Sequence, residues 1–244
     1  MPRYIFSIHS IEAYLEQNPP GIALFLSKES SRILALEKKA RNKGVPVRWI
    51  PKKVIPPFVD PTQWKGAYLE VPDRNNKIQT LEEVVSSGGE HSCILVLDEV
   101  TDVQNLGAIL RSADLFAVDC VVLPARRSAK LTQAVERSSS GASAYVTIIE
   151  VPNLVRALTY LKQVGYWVYG AHMEGEIITQ VDFQRKITLV LGGEDKGLSR
   201  LVQTTCDQLV RIPMTGHVGS FNVAVATGIL LYEMRRQQGF PSFN

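Results

Sequence analysis

The 244-residue chain sets 27 Lys and Arg against 24 Asp and Glu, a net charge of +3, and 45% of its residues are hydrophobic. This is the composition of an ordinary globular protein large enough to bury a sizeable core, and the charge permits an acidic partner such as nucleic acid without requiring one. Cys93, Cys120 and Cys206 are odd in number and form no CxxC pair, which excludes a disulfide framework and reads as buried free thiols in a reducing cytosol.

The first ten residues, "MPRYIFSIHS", lack the basic-then-apolar layout of a signal peptide. No apolar run approaches the ~20 residues needed to cross a bilayer. A cytoplasmic protein without membrane contact is therefore expected.

From Gly21 the chain reads as strand "GIALFL", helix "SSRILALEKKARNKG" with a serine cap and Gly44 as its stop, strand "VPVRWI" and strand "GAYLEV". These make a small alternating α/β module. Residues 72–90 are bounded by turn-formers around one short amphipathic segment and read as a linker. The alternation then becomes regular. Strands "CILVLDEV", "CVVLP", "YVTIIEV", "WVYGA", "ITLVLG" and "LVRIPM" are separated by helices "NLGAILRSADLFA", "AKLTQAVERSSSG", "NLVRALTYLKQVG" and "LSRLVQTTC", and helix "FNVAVATGILLYEMRRQ" closes the chain. Short, continuously apolar strands in such alternation predict a parallel sheet covered on both faces. Ligands of these sheets bind beyond the carboxyl ends of the strands, so the loops there are where chemistry is expected.

Three of those loops stand out. "LDEVTDVQNLGAILRSAD" sets Asp98, Asp102 and Asn105 at a strand end, with Arg111 on the helix face opposite the apolar stripe of Leu106, Ile109, Leu110 and Ala113. Asn105 as a helix cap and Arg111 as a solvated cation near Asp114 is the plainer alternative. "LGGEDKGLSRL" is a strand, a glycine turn and a helix start. Its glycines allow close backbone approach, its spacing is neither of the phosphate-binding glycine motifs, and Glu194 and Asp195 would repel a phosphate. A ligand with hydroxyls or positive charge suits it better, while Asp195 and Lys196 read as solvent-facing helix starters. "RIPMTGHVGSFNVAVATGILLYEMRR" pairs a strand end with a glycine-containing loop, then Ser220 and Asn222 where a long helix begins; His217 reads as a surface histidine.

Taken together and in this order, "NLGAILRSAD", "LGGEDKGLSRL" and "IPMTGHVGSFNVAVATGILLYE" resemble the three motifs of the SpoU (TrmH-like) family of RNA ribose 2'-O-methyltransferases. The resemblance implies an α/β fold in two parts. Residues 1–72 would be a small α/β domain like ribosomal protein L30e that binds the RNA substrate, and 73–90 the linker. Residues 91–244 would be a SPOUT-type catalytic domain, a mainly parallel sheet threaded into a deep trefoil knot, one of the rare exceptions to chain-connection rules. It implies S-adenosylmethionine as methyl donor, held by Leu191, Gly192, Gly193, Ile212, Met214, Ser220 and Phe221. The catalytic set would be Asn105, Arg111, Glu194, Ser220 and Asn222. The implied substrate is a guanosine of 23S rRNA; a guanosine of tRNA, or RNA binding without catalysis, are the alternatives. A homodimer through the helices of the first and third motifs is implied as well, with no metal.

Two positions depart from the family pattern: Val103 stands where proline is usual, and Phe221 where leucine is. Bringing a guanidinium down to about neutral pH would cost roughly 7 kcal/mol. Arg111 is therefore read as a charge beside the reacting hydroxyl and its phosphate rather than as the base, with Asn105 and Glu194 orienting Arg111 or the ribose. RNA contact is expected at Arg126, Arg127 and Lys130 and along "RNKGVPVRWIPKK", which holds Arg41, Lys43, Arg48, Lys52 and Lys53 around Trp49.

Overall fold

A computed structural model describes residues 3–6, 8–16, 23–52, 56, 64–71, 80–126, 128–129, 133–139, 142–183, 185–194 and 196–240. The chain divides into two compact units, one formed by residues 1–77 with 131–145 and the other by 78–130 with 146–244.

The first unit holds β1 (Arg3–Ile5), α1 (Ile8–Glu16), β2 (Ala23–Leu26), α2 (Ser31–Asn42), β3 (Val47–Trp49) and β4 (Ala67–Val71). Its sheet runs β1-β4-β2-β3. β4 is antiparallel to both β1 and β2, and only β2 and β3 are parallel. α2 begins where the Ser30 side chain accepts from Ile33 N and ends at Gly44, whose φ of 69° suits glycine. Ile33, Leu36 and Ala40 of α2 pack with Leu24, Leu26 and Leu69 of the sheet in one core. On a second, smaller cluster Phe25 and Tyr68 stack at 4.5 Å. β1 and α1 are absent from the sequence reading, because three strand residues and a nine-residue helix give too short a periodic signal.

The second unit begins with α3 (Leu81–Ser87). These residues fall within the expected linker. Thr80 and Glu83 form a reciprocal capping box, and Leu81, Val84 and Val85 are buried, so a one-sided helix docks where turn-formers alone suggested open chain. Then follow β5 (Cys93–Asp98), α4 (Val103–Leu115) and β6 (Cys120–Pro124). The short α5 (Gln133–Ser138) lies in the stretch that groups with the first unit, not with the regular alternation that predicted it. The chain resumes with β7 (Ile148–Val151), α6 (Leu154–Gln163), β8 (Trp167–Ile177), β9 (Ile187–Gly192), α7 (Arg200–Thr205), β10 (Gln208–Arg211) and α8 (Val223–Gln238). The six strands lie in the order β10-β8-β9-β5-β6-β7, and every neighbouring pair is parallel, as the apolar runs predict.

Two features of this sheet set up the site. β5 and β9 run in step from Cys93 opposite Ile187 to Asp98 opposite Gly192, so the loops that leave them start side by side. β8 is longer than its predicted "WVYGA": its pairing with β10 jumps from Gly170 to Glu176 while β10 advances only from Leu209 to Val210. The extra residues form a bulge, and a Cβ at Gly175 would stand 2.4 Å from Val210 N, so the strand can close again only on a glycine.

The opposite, amino-terminal end of the sheet is closed by satisfied polar groups. Asp119 accepts from Cys93 N at 2.6 Å and from the Ser92 hydroxyl at 2.8 Å, and Ser92 in turn meets the Tyr166 hydroxyl at 2.6 Å. Asp207 accepts from Val168 N and pairs with Lys162 at 2.7 Å. Arg235, only 4% exposed, donates to the carbonyls of His91, Phe116 and Ala117 and to Gln238.

Candidate active site

Beyond the carboxyl ends of the strands the chain converges from three directions. After β5, Glu99 takes φ 59°, unusual for a residue with a side chain, and the chain turns into α4, whose cap Asp102 accepts from Asn105 N at 2.7 Å. Asp98 is spent on structure: it is buried and accepts from Ser199 N at 2.7 Å, fixing the chain at the start of α7.

After β9 the turn from Gly192 to Gly197 is dictated by close backbone contacts. A Cβ at Gly192 would lie 2.0 Å from the Gly197 carbonyl carbon, one at Gly193 would lie 2.6 Å from the Glu99 carbonyl oxygen, and Gly197 has φ +63°. Gly197 N closes the turn on Gly193 O at 2.9 Å. The glycines of "LGGEDKGL" therefore bring two loops together and aim Glu194 between them.

The third approach is the start of α8, capped by Asn222. Its side-chain oxygen accepts from Ala224 N at 2.9 Å and Val225 N at 3.3 Å. That fixes which way the amide faces, since its NH2 must point away from the helix. Asn222 Nδ2 donates to Asn105 Oδ1 at 2.9 Å and to Glu194 Oε1 at 3.0 Å, and Asn105 Nδ2 donates to the same Glu194 oxygen. Three predicted residues thus form a triangle of hydrogen bonds that ends on one carboxylate oxygen, which accepts and cannot donate. Among the described residues nothing bonds the other oxygen, Glu194 Oε2.

Two cavities meet at Glu194. The first, about 400 Å³, is lined by polar groups of the loop after β5, including Glu99, Asp102 and Asn105, and by Gly193, Glu194 and Lys196. The second, about 310 Å³, is more apolar. Leu191 and Gly192 at the end of β9 and Gly193 just beyond it, Ile212 and Met214 after β10, and Ser220 and Phe221 before α8 all line it, so every residue expected to hold the donor faces one space. Glu194 and Lys196 belong to both walls.

Among the wall residues that sequence reasoning missed, His172, Met173 and Lys196 are the most telling. His172 and Met173 reach the apolar cavity from the β8 bulge, which only the register shift against β10 creates. Lys196, expected to face solvent away from the site, lines both cavities. The one available signal was Gly175 in an otherwise strand-like run, a mark of a bulge.

Arg111 is not joined to the triangle. It is exposed on α4, lines neither cavity and has no bonding partner among the described residues. His217 is exposed, as expected. Of the RNA-contact residues, Arg126 and Lys43 are exposed, and exposed Arg48 lies 5.7 Å over the Phe25 ring. Arg41 is clamped by Glu37 at 3.0 and 2.7 Å, and Glu37 also accepts from Trp49 Nε1. The bond from Arg41 is the main reason that carboxyl is held below its ordinary range. Arg127, Lys130, Lys53 and Asp195 lie outside the described residues. Among the described residues no group of three or more His, Cys, Asp or Glu could hold a metal, and no helix is long and apolar enough to cross a membrane.

Residues 92–232 match the SpoU rRNA methylase family. The chain belongs to that family. A SpoU relative from Shewanella oneidensis, 23S rRNA (guanosine-2'-O-)-methyltransferase RlmB, is 36% identical over 241 residues, which cover 96% of this chain and 97% of the relative. Among solved SpoU structures, the methyltransferase AviRb from Streptomyces viridochromogenes in complex with the cofactor AdoMet superposes with a TM-score of 0.77 at 23% identity, over 97% of this chain and 90% of that one. A putative RNA methyltransferase of the TrmH family from Porphyromonas gingivalis superposes with a TM-score of 0.74 at 26% identity, over 97% and 90%. The SpoU match spans all three loops that meet at the triangle.

Proposed function

We propose that this chain transfers a methyl group from S-adenosylmethionine to the ribose 2'-hydroxyl of a guanosine in 23S rRNA. The observation that carries the reading is the wall shared by the two cavities, where Glu194, held by Asn105 and Asn222, stands between an apolar space and a polar one. The near full-length relationship to a 23S rRNA (guanosine-2'-O-)-methyltransferase supports the choice of substrate.

The apolar cavity suits the donor. Leu191, Ile212 and Met214 offer surfaces to a flat base, the glycine backbone is open to close approach, Arg211 and Lys196 offer cations to a carboxylate, and Glu194 offers a counter-charge to a sulfonium. When bound, the donor supplies an activated methyl group with a neutral thioether as leaving group. The protein's own share is alignment, exclusion of water and handling of the hydroxyl proton. Asn105 and Asn222 hold Glu194, Ser220 and Phe221 close the donor side, and Arg111 lies against the phosphate beside the reacting ribose.

The finer architecture belongs to the same reading. The C-terminal strands and helices form the deep trefoil knot of SPOUT enzymes, residues 1–72 form an L30e-like RNA-binding domain, and the catalytic domain takes in α3 ahead of residues 91–244. Two chains pair through α4 and α8, where Leu115, Val225 and Tyr232 are each more than half exposed at 62%, 52% and 52%; unpaired apolar surface of this kind favours association. The protein acts in the cytoplasm, where its RNA is made. RNA contacts come from Arg126, Arg127 and Lys130 and from Lys43 and Arg48, with Arg41 contributing less because Glu37 already holds it.

The test is incubation with labelled S-adenosylmethionine and, separately, unmodified 23S rRNA and tRNA, followed by mapping of the label. Label on the 2'-oxygen of one guanosine of 23S rRNA is expected. Label on tRNA alone would move the substrate assignment, and no label on either would overturn the enzymatic reading.

A further inference from the structure

The triangle leaves one oxygen unused, and its position assigns it a task. Asn222 cannot turn its amide over, because its oxygen is taken by the first N–H groups of α8. Asn105 cannot turn over either, because its oxygen accepts from Asn222. Both amides therefore donate to Glu194 Oε1, which makes the carboxylate's orientation a consequence of the helix start itself. Glu194 Oε2 is left without a partner among the described residues, in a residue that lines the polar cavity and the apolar one together. Arg111 lines neither, and among the described residues Lys196 is the only cation in the polar wall.

Resting on the methyltransferase reading above, we propose that Glu194 Oε2 accepts the proton of the acceptor hydroxyl, which enters from the polar cavity. The hydroxyl oxygen forms a bond to the methyl carbon as the carbon–sulfur bond of the donor breaks. The electron pair of that bond stays on sulfur, and the hydroxyl proton passes to Glu194, which becomes a neutral acid. No further reactant is needed. Glu194 thus has the role of base that the exposed guanidinium is ill suited to fill, and the two asparagines are positioning residues that act through it.

The decisive variant is Glu194→Gln. Its Oε1 can still accept from Asn105 and Asn222, so the triangle stands while the free position loses its ability to take a proton. Turnover on the 23S rRNA fragment that the wild type methylates is expected to fall about 10²- to 10⁴-fold. Affinity for S-adenosylmethionine, measured by calorimetry, should fall by no more than about fivefold, the weight of one exposed counter-charge to the sulfonium, far short of the loss in turnover. With the resident base gone the proton must go to solvent hydroxide, so the variant's rate should climb about tenfold per pH unit in a range where the wild type is flat.

A second measurement needs no donor. In the wild type, a 2'-deoxy substitution at the target nucleotide should weaken RNA binding about tenfold or more, as loss of a hydrogen bond to a charged group does, and in Glu194→Ala the two RNAs should bind alike. A Glu194→Gln enzyme with near-normal rate, or one slowed with an unchanged pH profile, would overturn the proposal, as would an undiminished preference for ribose in Glu194→Ala. Wild-type protein that labels no RNA would instead overturn the methyltransferase reading, and this proposal with it.

Discussion

At the amino-terminal end of the six-stranded sheet Arg235 is buried and gives its guanidinium to three backbone carbonyls, whereas at the other end Arg111 is exposed and bonds none of the described residues. The carboxylates differ in the same way. Asp119 and Asp207 are engaged by backbone N–H groups and side chains that tie strand starts together, while Glu194, a wall residue of two cavities, keeps one oxygen unbonded among the described residues. Among the described residues, even the two with side chains at positive φ divide between the ends: the carbonyl of Ala117, φ 49°, is held by Arg235, and that of Glu99, φ 59°, faces Gly193. One end spends its polar groups on stability, and the other holds them for a ligand.

The contrast can be broken most directly by comparing the two arginines. Arg111→Ala is expected to lower turnover about 10²- to 10³-fold while leaving urea stability and donor affinity unchanged, with Arg111→Lys retaining part of the rate; an alanine variant of near-normal rate would remove Arg111 from the mechanism. Arg235→Ala should do the reverse. It strands buried carbonyls and should cost roughly 3 kcal/mol, at the upper end for an unmet buried partner, while the folded fraction keeps its turnover. An Arg235→Ala variant whose folded fraction loses rate would show that the two ends are not separable.

A smaller effect sharpens the comparison on the ligand side. Gly192→Ala puts a methyl against the Gly197 backbone and should cost about 1–3 kcal/mol, with donor affinity falling further than stability does. Gly219→Ala meets nothing within 4 Å and should stay within about 0.5 kcal/mol of the wild type. If the two alanines behave alike, the close approach is not what shapes the turn.

The mildest test is alkaline. Burial pushes the Cys93 thiol up to about 12, whereas an unfolded cysteine titrates near 8.5. Below about pH 8.5 both states keep the proton and stability is unaffected. Between there and about pH 12 only the unfolded chain loses it, so stability should fall as pH rises through that window. The urea midpoint, followed from neutral pH upward, checks the direction, and Cys93→Ala should flatten the fall relative to its own neutral value. A midpoint that rises instead would place Cys93 in a different environment.

Much of this could be read in the residues. Continuous apolar runs separated by amphipathic segments predict a parallel sheet, because a strand buried on both faces has no polar side to display. The glycines of "LGGEDKGL", the caps of α4 and α8 and the order of the three motifs are local, and local signals survive in a sequence read by itself. What escaped depends on partners far away in the chain. The bulge that brings His172 and Met173 to the cavity exists only through the register of β8 against β10. Lys196 becomes a wall residue only because Gly197 folds back on Gly193. Residues 131–145 look like one more helix of the alternation, yet their contacts group them with the first unit. Which of Glu194's two oxygens stays open is decided last of all. Asn105 and Asn222 lie 89 residues before and 28 after it, and only when their loops meet do helix N–H groups fix the direction of every donor around it. Periodicity and turn chemistry act over a few residues and are written in the sequence, whereas the direction of a hydrogen bond between three loops is a property of their meeting.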